Sequence, residues 1–222
     1  MLGPIAIIPS APVLVPELAG TAPDAAEVRA AALSAASSLP QRWVALGAGP
    51  QSVFGPHSTG SFAGYGVDLA VHLSPRPQPC AELPLCALMA GWVRGRTCPA
   101  ADVLVHTFDD PLTARSGGRR IRAQIDKSPE PVGVLVLADG ANTVSAAAPG
   151  GYHPSDIDVQ RVLDDALAAG DIADLIALPL PVVGRAVFAA LAGLADVAPR
   201  SVTQLYRGAP YGVGYFVGVW HP

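Results

Sequence analysis

Pro131-Val132-Gly133-Val134-Leu135-Val136-Leu137-Ala138-Asp139-Gly140 is the stretch that decides the fold. Between Pro131 and Gly140 the run Val132–Leu137 has no charge and no polar side chain, so it lacks the alternation of a half-exposed strand. A short, valine-rich run that is apolar on both faces predicts a strand covered on both sides and placed at the centre of a sheet. Outward from it lie further apolar runs at Ile5–Ile8, Trp43–Leu46, Val67–Leu73, Val103–His106 and Val213–Trp220. Alanine-rich segments that predict helices separate them: Pro23–Ser38, Leu83–Val93, Leu112–Ile125, Ser155–Ala169, Ile172–Ala177 and Val182–Ala192. The alternation predicts an α/β protein. Ser155, followed by Asp156 and Asp158, reads as an N-cap with negative charge for the positive end of the dipole, and Gly170 reads as the C-terminal stop.

The chain has 222 residues, half of them hydrophobic and 14% charged, which suits one domain over residues 1–222 with a single core. No internal repeat or low-complexity linker suggests a boundary. Glycine and proline, 23 of each, gather in the connections Gly47–Gly66, Pro75–Pro84 and Ala146–Pro154. The first of these is long for a connection in a compact domain, and such loops tend to carry function.

A net charge of −4 and an isoelectric point near 5.6 argue against a nucleic-acid partner, which requires a concentrated positive field. The basic residues that do cluster are Arg115, Arg119, Arg120 and Arg122; they could grip an anion, but a helix presenting them to solvent explains them without a ligand. Cys80, Cys86 and Cys98 have no zinc-type spacing, and a reducing cytoplasm is the expected compartment. Met1–Leu18 lacks a basic leader region and is broken by Pro4, Pro9, Pro12 and Pro16, so neither a signal nor a membrane partner is expected. A mean hydropathy of +0.38 with so little charge makes a homodimer the expected assembly.

Gly47-Ala48-Gly49-Pro50-Gln51-Ser52 follows a strand as a dinucleotide fingerprint does, but Pro50 removes an N–H and Ser52 stands where the third glycine belongs. Ser10 ends the first strand without the strained turn that exposes a nucleophile; a triad would have to draw on His57, His106 or His153 and on Asp109, Asp110 or Asp139. His106-Thr107-Phe108-Asp109-Asp110 offers donors suited to a divalent metal, although Asp109 or Asp110 also suits the N-cap of the next helix. In a doubly wound sheet the strand ends converge on one crevice, where Ser10, Gly49, Asp110 and Asp139 would meet. Asp139-Gly140-Ala141-Asn142 reads equally as ordinary turn chemistry and as the place for a catalytic group.

Taken together, Ile5-Ala6-Ile7-Ile8-Pro9-Ser10-Ala11-Pro12-Val13-Leu14-Val15-Pro16-Glu17, Val134-Leu135-Val136-Leu137-Ala138-Asp139-Gly140-Ala141-Asn142, Ala148-Pro149-Gly150-Gly151-Tyr152 and the closing Ala209–Trp220 resemble the LigB-like proteins. The closing stretch is similar to that of an actinobacterial branch of the class III extradiol ring-cleavage dioxygenase family. The resemblance implies a three-layer α/β/α sandwich around a mainly parallel or mixed sheet. For active relatives it also implies Fe(II) held by two histidines and a glutamate, with a further acid/base histidine. In this chain Ser10 occupies the first histidine position, Gly47–Pro50 spans the second, Asn142 replaces the acid/base histidine, and Val182-Val183-Gly184-Arg185 has no carboxylate. The expected function is therefore a scaffold without cofactor that binds a small molecule or a homologous subunit. Its crevice candidates are Ser10, Gly49, Gln51, His57, Asp110, Asp139, Asn142 and His153. The alternatives are an active Fe(II) extradiol dioxygenase with His57, Asp110 and Asp139 as shifted ligands, and a hydrolase using Ser10 with His57 or His153.

Overall fold

The computed structural model describes residues 1–20, 23–76 and 82–222. Cys80 and the middle of the Pro75–Pro84 connection lie outside the described residues. Along the chain the strands are β1 (Leu2–Ile8), β2 (Arg42–Ala48), β3 (Ser52–Phe54), β4 (Thr59–Ser61), β5 (Ala70–His72), β6 (Asp102–Phe108), β7 (Val132–Leu137), β8 (Ser201–Gly208) and β9 (Tyr215–His221). The helices are α1 (Pro16–Ala19), α2 (Pro23–Ala36), α3 (Leu85–Thr97), α4 (Pro111–Ile125), α5 (Asp156–Ala169) and α6 (Arg185–Ala195).

Seven strands form a mixed sheet in the order β3-β6-β2-β7-β1-β9-β8, which puts β7 at its centre with every residue buried, as its sequence predicts. β6, β2, β7 and β1 run parallel, so their carboxyl ends share one edge of the sheet; β3, β9 and β8 are antiparallel additions. Because side chains alternate along a strand, β7 serves two cores. Leu135 and Leu137 join Ala6, Ile8, Val105 and Val217 beneath α2 and α3. Val134 and Val136 join Ile5, Ile7, Leu46 and Trp220 beneath α4, α5 and α6. Each such side chain, fully buried, is worth roughly 1.5–3 kcal/mol, which is why an uncharged run can define the middle layer of a three-layer α/β/α sandwich.

Glycines set the spacing of α4 and α6. A Cβ on Gly118 would clash with the Ala190 carbonyl, and one on Gly193 would clash with the Arg115 carbonyl. The Arg122 guanidinium donates to Leu194 O and Ala195 O, satisfying carbonyls at the end of α6, and pairs with Asp126 at 3.0 Å.

Several elements differ from expectation. Val67–Leu73 contributes only β5, which pairs with β4 in a separate two-stranded ribbon, because Val67 and Leu69 hydrogen-bond back to Phe62. Ile172–Ala177 shortens to a 3-10 turn over Ala173–Leu175, opened by Asp171 capping Ala173 N–H and followed closely by Pro179. Ser155 has helical φ/ψ and caps nothing; its hydroxyl lies against Asp156. Gly170 does end α5 in the left-handed conformation, at φ 71°. The last helix begins at Arg185 rather than Val182, because Val182 bridges to Ala141 and the amides of Val183 and Gly184 donate to Gly140 O and Asp139 O. The long Gly47–Gly66 connection contains β3 and β4. β8 has no apolar period to announce it: it is an edge strand whose register shifts between Gln204 and Tyr206.

Candidate functional site

The pairing registers place a polar row at the strand tips. Leu137 stands beside Ile8 on one side and Gly47 on the other, and Ile7 stands opposite Gly218. Two residues further along the parallel strands, Gly49, Asp139 and Ser10 come abreast. Tyr215, which packs in the core of Ile8, Leu137 and Val217, completes the row, close enough to Asp139 for the carboxylate to act on its hydroxyl. Ser10 N–H donates to Asp139 Oδ1 at 3.1 Å, which locks the middle of the row.

No salt bridge reaches Asp139 among the described residues, and burial pushes its carboxyl from its ordinary 3.8 up to about 7, against the opposing pull of the Ser10 N–H. At neutral pH it exists in both protonation states, so it can accept or donate a hydrogen bond. Tyr215 is buried, and burial together with the Asp139 charge raises its hydroxyl well above the usual phenol range. The hydroxyl of Tyr211, a few residues before it, is buried without a hydrogen-bond partner among the described residues.

Behind the row, the turn that carries Asp139 and Asn142 is pinned from three elements. Gly140 N–H donates to Gly214 O and Gly214 N–H to Ala141 O, each at 2.8 Å. Ala141 N–H donates to Gln160 Oε1 at 2.7 Å, and Gln160 Nε2 donates to Asp164 Oδ1 at 2.8 Å. Asp164 in turn faces Arg207 on β8 at 3.7 Å. Burial raises its carboxyl to about 6, against the Gln160 hydrogen bond and the Arg207 charge. A Cβ at position 140 or 214 would meet the amide of Gln160, so the two glycines leave the room in which Gln160 reaches Ala141 N–H. Asn142 is half-buried, with Gly150 packed on its side-chain oxygen.

Beside the Gly49 end of the row lies a cleft of about 640 Å³ whose walls include Gly49, Phe54, Tyr65, Glu82, Leu83 and Thr107. It has an aromatic rim, hydroxyl groups and one carboxylate, and no basic residue lines it among the described residues. Ser10 and Asp139 lie outside its walls.

The other sequence-derived candidates are dispersed. Gln51 is exposed in the turn between β2 and β3, and His153 is exposed on the connection before α5. β3 runs antiparallel to β6 and carries the chain back from the strand tips before His57, whose Nδ1 stands 3.5 Å from Ser74 Oγ. Asp110 caps α4, accepting from Leu112 N–H and Thr113 N–H at 3.2 Å each, and those bonds hold its carboxyl below the ordinary carboxylate range. In the His106–Asp110 segment Asp110 takes the N-cap role, one of the two readings that its sequence allows. His57, Asp110 and Asp139 do not meet. Among the described residues no three His, Cys, Asp or Glu side chains form a group able to hold a metal. Where a 2-His-1-carboxylate centre needs two imidazoles and a carboxylate, the row supplies two hydroxyls, a glycine and one carboxylate, so these residues do not fit a mononuclear ferrous ion. For the Ser10 hydrolase, neither His57 nor His153 hydrogen-bonds Ser10 among the described residues; Asp139 accepts from the Ser10 backbone N–H and not from its hydroxyl.

Sequence reasoning missed Tyr211, Tyr215 and Gln160. Tyr215 comes near the row only because β9 lies beside β1 in the sheet, and Gln160 reaches the turn only through the packing of α5. The signal that was present is the glycine on either side of that packing, at positions 140 and 214.

No family model matches the chain, and no curated protein matches it. Among solved structures, the uncharacterized protein JW3007 from Escherichia coli K12 superposes with a TM-score of 0.57 over 99% of this chain and 100% of that one, at 12% identity. That likeness, together with the sheet order, shows the α/β fold: a mixed seven-stranded sheet flanked by helices.

Proposed function

We propose that this chain is a LigB-like protein that binds a small uncharged molecule at the strand tips and holds no iron there. The observation that carries the reading is the Gly49–Asp139–Ser10–Tyr215 row beside the 640 Å³ cleft. Where active relatives would place imidazoles, this row offers hydroxyls and a single carboxyl that is half protonated near neutrality. Such a set hydrogen-bonds a neutral ligand and does not concentrate the negative charge that a divalent cation needs. Asn142 adds an amide that can orient a ligand and cannot shuttle a proton. Without a basic side chain among the described residues of its walls, the cleft disfavours carboxylates and phosphates as ligands.

Cys86 and Cys98, unpaired among the described residues, fit a reducing compartment such as the cytoplasm, and no helix of the described residues is long and apolar enough to cross a membrane. A second copy of the chain or a homologous subunit is the proposed protein partner, and sedimentation equilibrium measures its stoichiometry.

Two measurements test the proposal. After anaerobic loading with ferrous ion and gel filtration, metal analysis is expected to find well under one iron per chain; stoichiometric retention would overturn it. In an NMR titration with phenol and indole as neutral probes, saturable shifts are expected at Gly49, Ser52 and Thr107. Shifts that never saturate, or that fall elsewhere, count against the cleft.

A further inference from the structure

α5 lays an apolar stripe on the sheet through Leu163, Ala166 and Leu167, yet two polar side chains, Gln160 and Asp164, share that buried face. Four residues apart, they stand one above the other on the helix. A helix that only covered the sheet would carry apolar side chains at both positions, because a buried polar group costs free energy unless its hydrogen bonds are met. Here they are met from two directions. Gln160 Oε1 accepts from Ala141 N–H at 2.7 Å, Gln160 Nε2 donates to Asp164 Oδ1 at 2.8 Å, and Asp164 Oδ2 faces the Arg207 guanidinium at 3.7 Å. Arg207 is partly exposed and also holds Asp165 at 2.9 Å. The chain of contacts runs from the surface beside β8, through the interior, to the turn that carries Asp139 and Asn142.

The Gln160 amide has one productive orientation. Ala141 N–H needs its oxygen, which leaves its NH2 group to meet Asp164, and an ionised carboxylate satisfies that group best. Gly140, in the turn, and Gly214, hydrogen-bonded to it, lie so close that a Cβ on either would clash with the amide, so the turn must feel any shift of Gln160. The charges that act on Asp164 are Arg207, from β8, and Asp165, its neighbour on α5; β9 and the 3-10 turn, which also pack on α5, add none among the described residues. Burial raises the Asp164 carboxyl to about 6, so it changes charge between mildly acidic and neutral pH. On protonation the Gln160–Asp164 bond loses its charge assistance, and Arg207 keeps only Asp165.

We propose that Gln160 is a positioning residue that relays the protonation state of Asp164 to the strand-tip turn, with Arg207 as the outer partner that holds Asp164 in its charged form. The consequence for a ligand rests on the reading of the row as a binding site: as Asp164 takes up its proton the turn loosens, and a molecule held by Asp139 and Asn142 is held less firmly.

The relay is tested by NMR on the intact protein without ligand, following the Ala141 amide proton from pH 4.5 to 7.5. Asp139→Asn is the background, since it removes the other carboxyl that titrates beside the turn. An inflection near pH 6 is expected there. Adding Asp164→Asn is expected to abolish it, and adding Arg207→Gln to move it upward by about one pH unit, because the lost cation had favoured the carboxylate. Arg161→Gln, which breaks the exposed pair with Asp158 on the same helix, is expected to leave it in place. A flat Ala141 profile, or an inflection that survives Asp164→Asn, would overturn the proposal. So would equal displacement by Arg161→Gln and Arg207→Gln, since that result describes the general field of the surface and not a relay. If Asp164→Asn does not fold, the Arg207→Gln displacement decides alone. Failure of phenol and indole to bind the parent strikes the ligand reading and leaves the amide profiles to judge the relay.

Discussion

Asp139 shows how one residue's environment becomes a property of the protein. Its carboxyl is held near 7 in the folded chain, against 3.8 ordinarily, so between those values the folded state binds a proton that the unfolded state has lost. Stability from this group is therefore fully present at low pH, falls as pH rises from about 4 to about 7, and levels off above that, by at most about 1.4 kcal/mol per pH unit. Asp164, raised to about 6, acts with the same sign over a narrower window. Asp139→Asn keeps an oxygen for the Ser10 N–H and removes the titration. Urea midpoints measured from pH 4.5 to 7.5 are expected to show a flatter profile for this variant than for the parent, and an unchanged profile would refute the assignment. The position of Asp139 at the end of the central strand was legible from the sequence. Its isolation from any cation was not, because that depends on which strands flank β7.

At the scale of elements, the α4–α6 contact brings two helix backbones together. Gly118 and Gly193 allow them to touch, and a methyl group at either position meets a carbonyl that cannot move without shifting a whole helix. Gly118→Ala and Gly193→Ala are each expected to cost about 1–3 kcal/mol, or more, in urea unfolding, despite alanine's better helix propensity. Gly95→Ala serves as the control: it lies on the exposed side of α3 with nothing within 4 Å of the added Cβ, and should stabilise by up to about 1 kcal/mol. If Gly118→Ala behaved like Gly95→Ala, the close approach of the two helices would be wrong. Most of the helices were readable as alanine-rich segments, and Asp110 was one of the two residues read as the N-cap of α4, the role it takes. β8 was not readable, since an edge strand with both faces largely exposed carries no hydrophobic period, and its bulge interrupts what little there is.

For the whole molecule, the consequence of a central sheet is that its two cores share one layer. Trp43 lies in the core under α2 and α3, and Trp220 in the core under α4, α5 and α6. Because β7 contributes to both, neither core can be lost while the other persists, and unfolding should be a single transition. A Trp43→Phe/Trp92→Phe variant reports from Trp220 alone, and Trp220→Phe reports from the other face. In urea, each variant's fluorescence midpoint is expected to coincide with its own far-ultraviolet circular dichroism midpoint. Separate midpoints within one variant would mean that the two layers unfold independently.

The chain's own order of residues determined the class of fold and its centre, because burial on both faces leaves a mark that needs no partner to be read: an uncharged, valine-rich run between proline and glycine. It also determined what the strand tips lack, since Ser10, Gly49 and Asn142 are the same residues whatever surrounds them. Only the tertiary structure decided which groups meet. It set Tyr215 near Asp139 and Gln160 behind it, engaged Asp110 in capping, and carried His57 away on a reversed strand. Those outcomes follow from strand order, register and helix packing, and such long-range pairings leave no local signature in a single sequence.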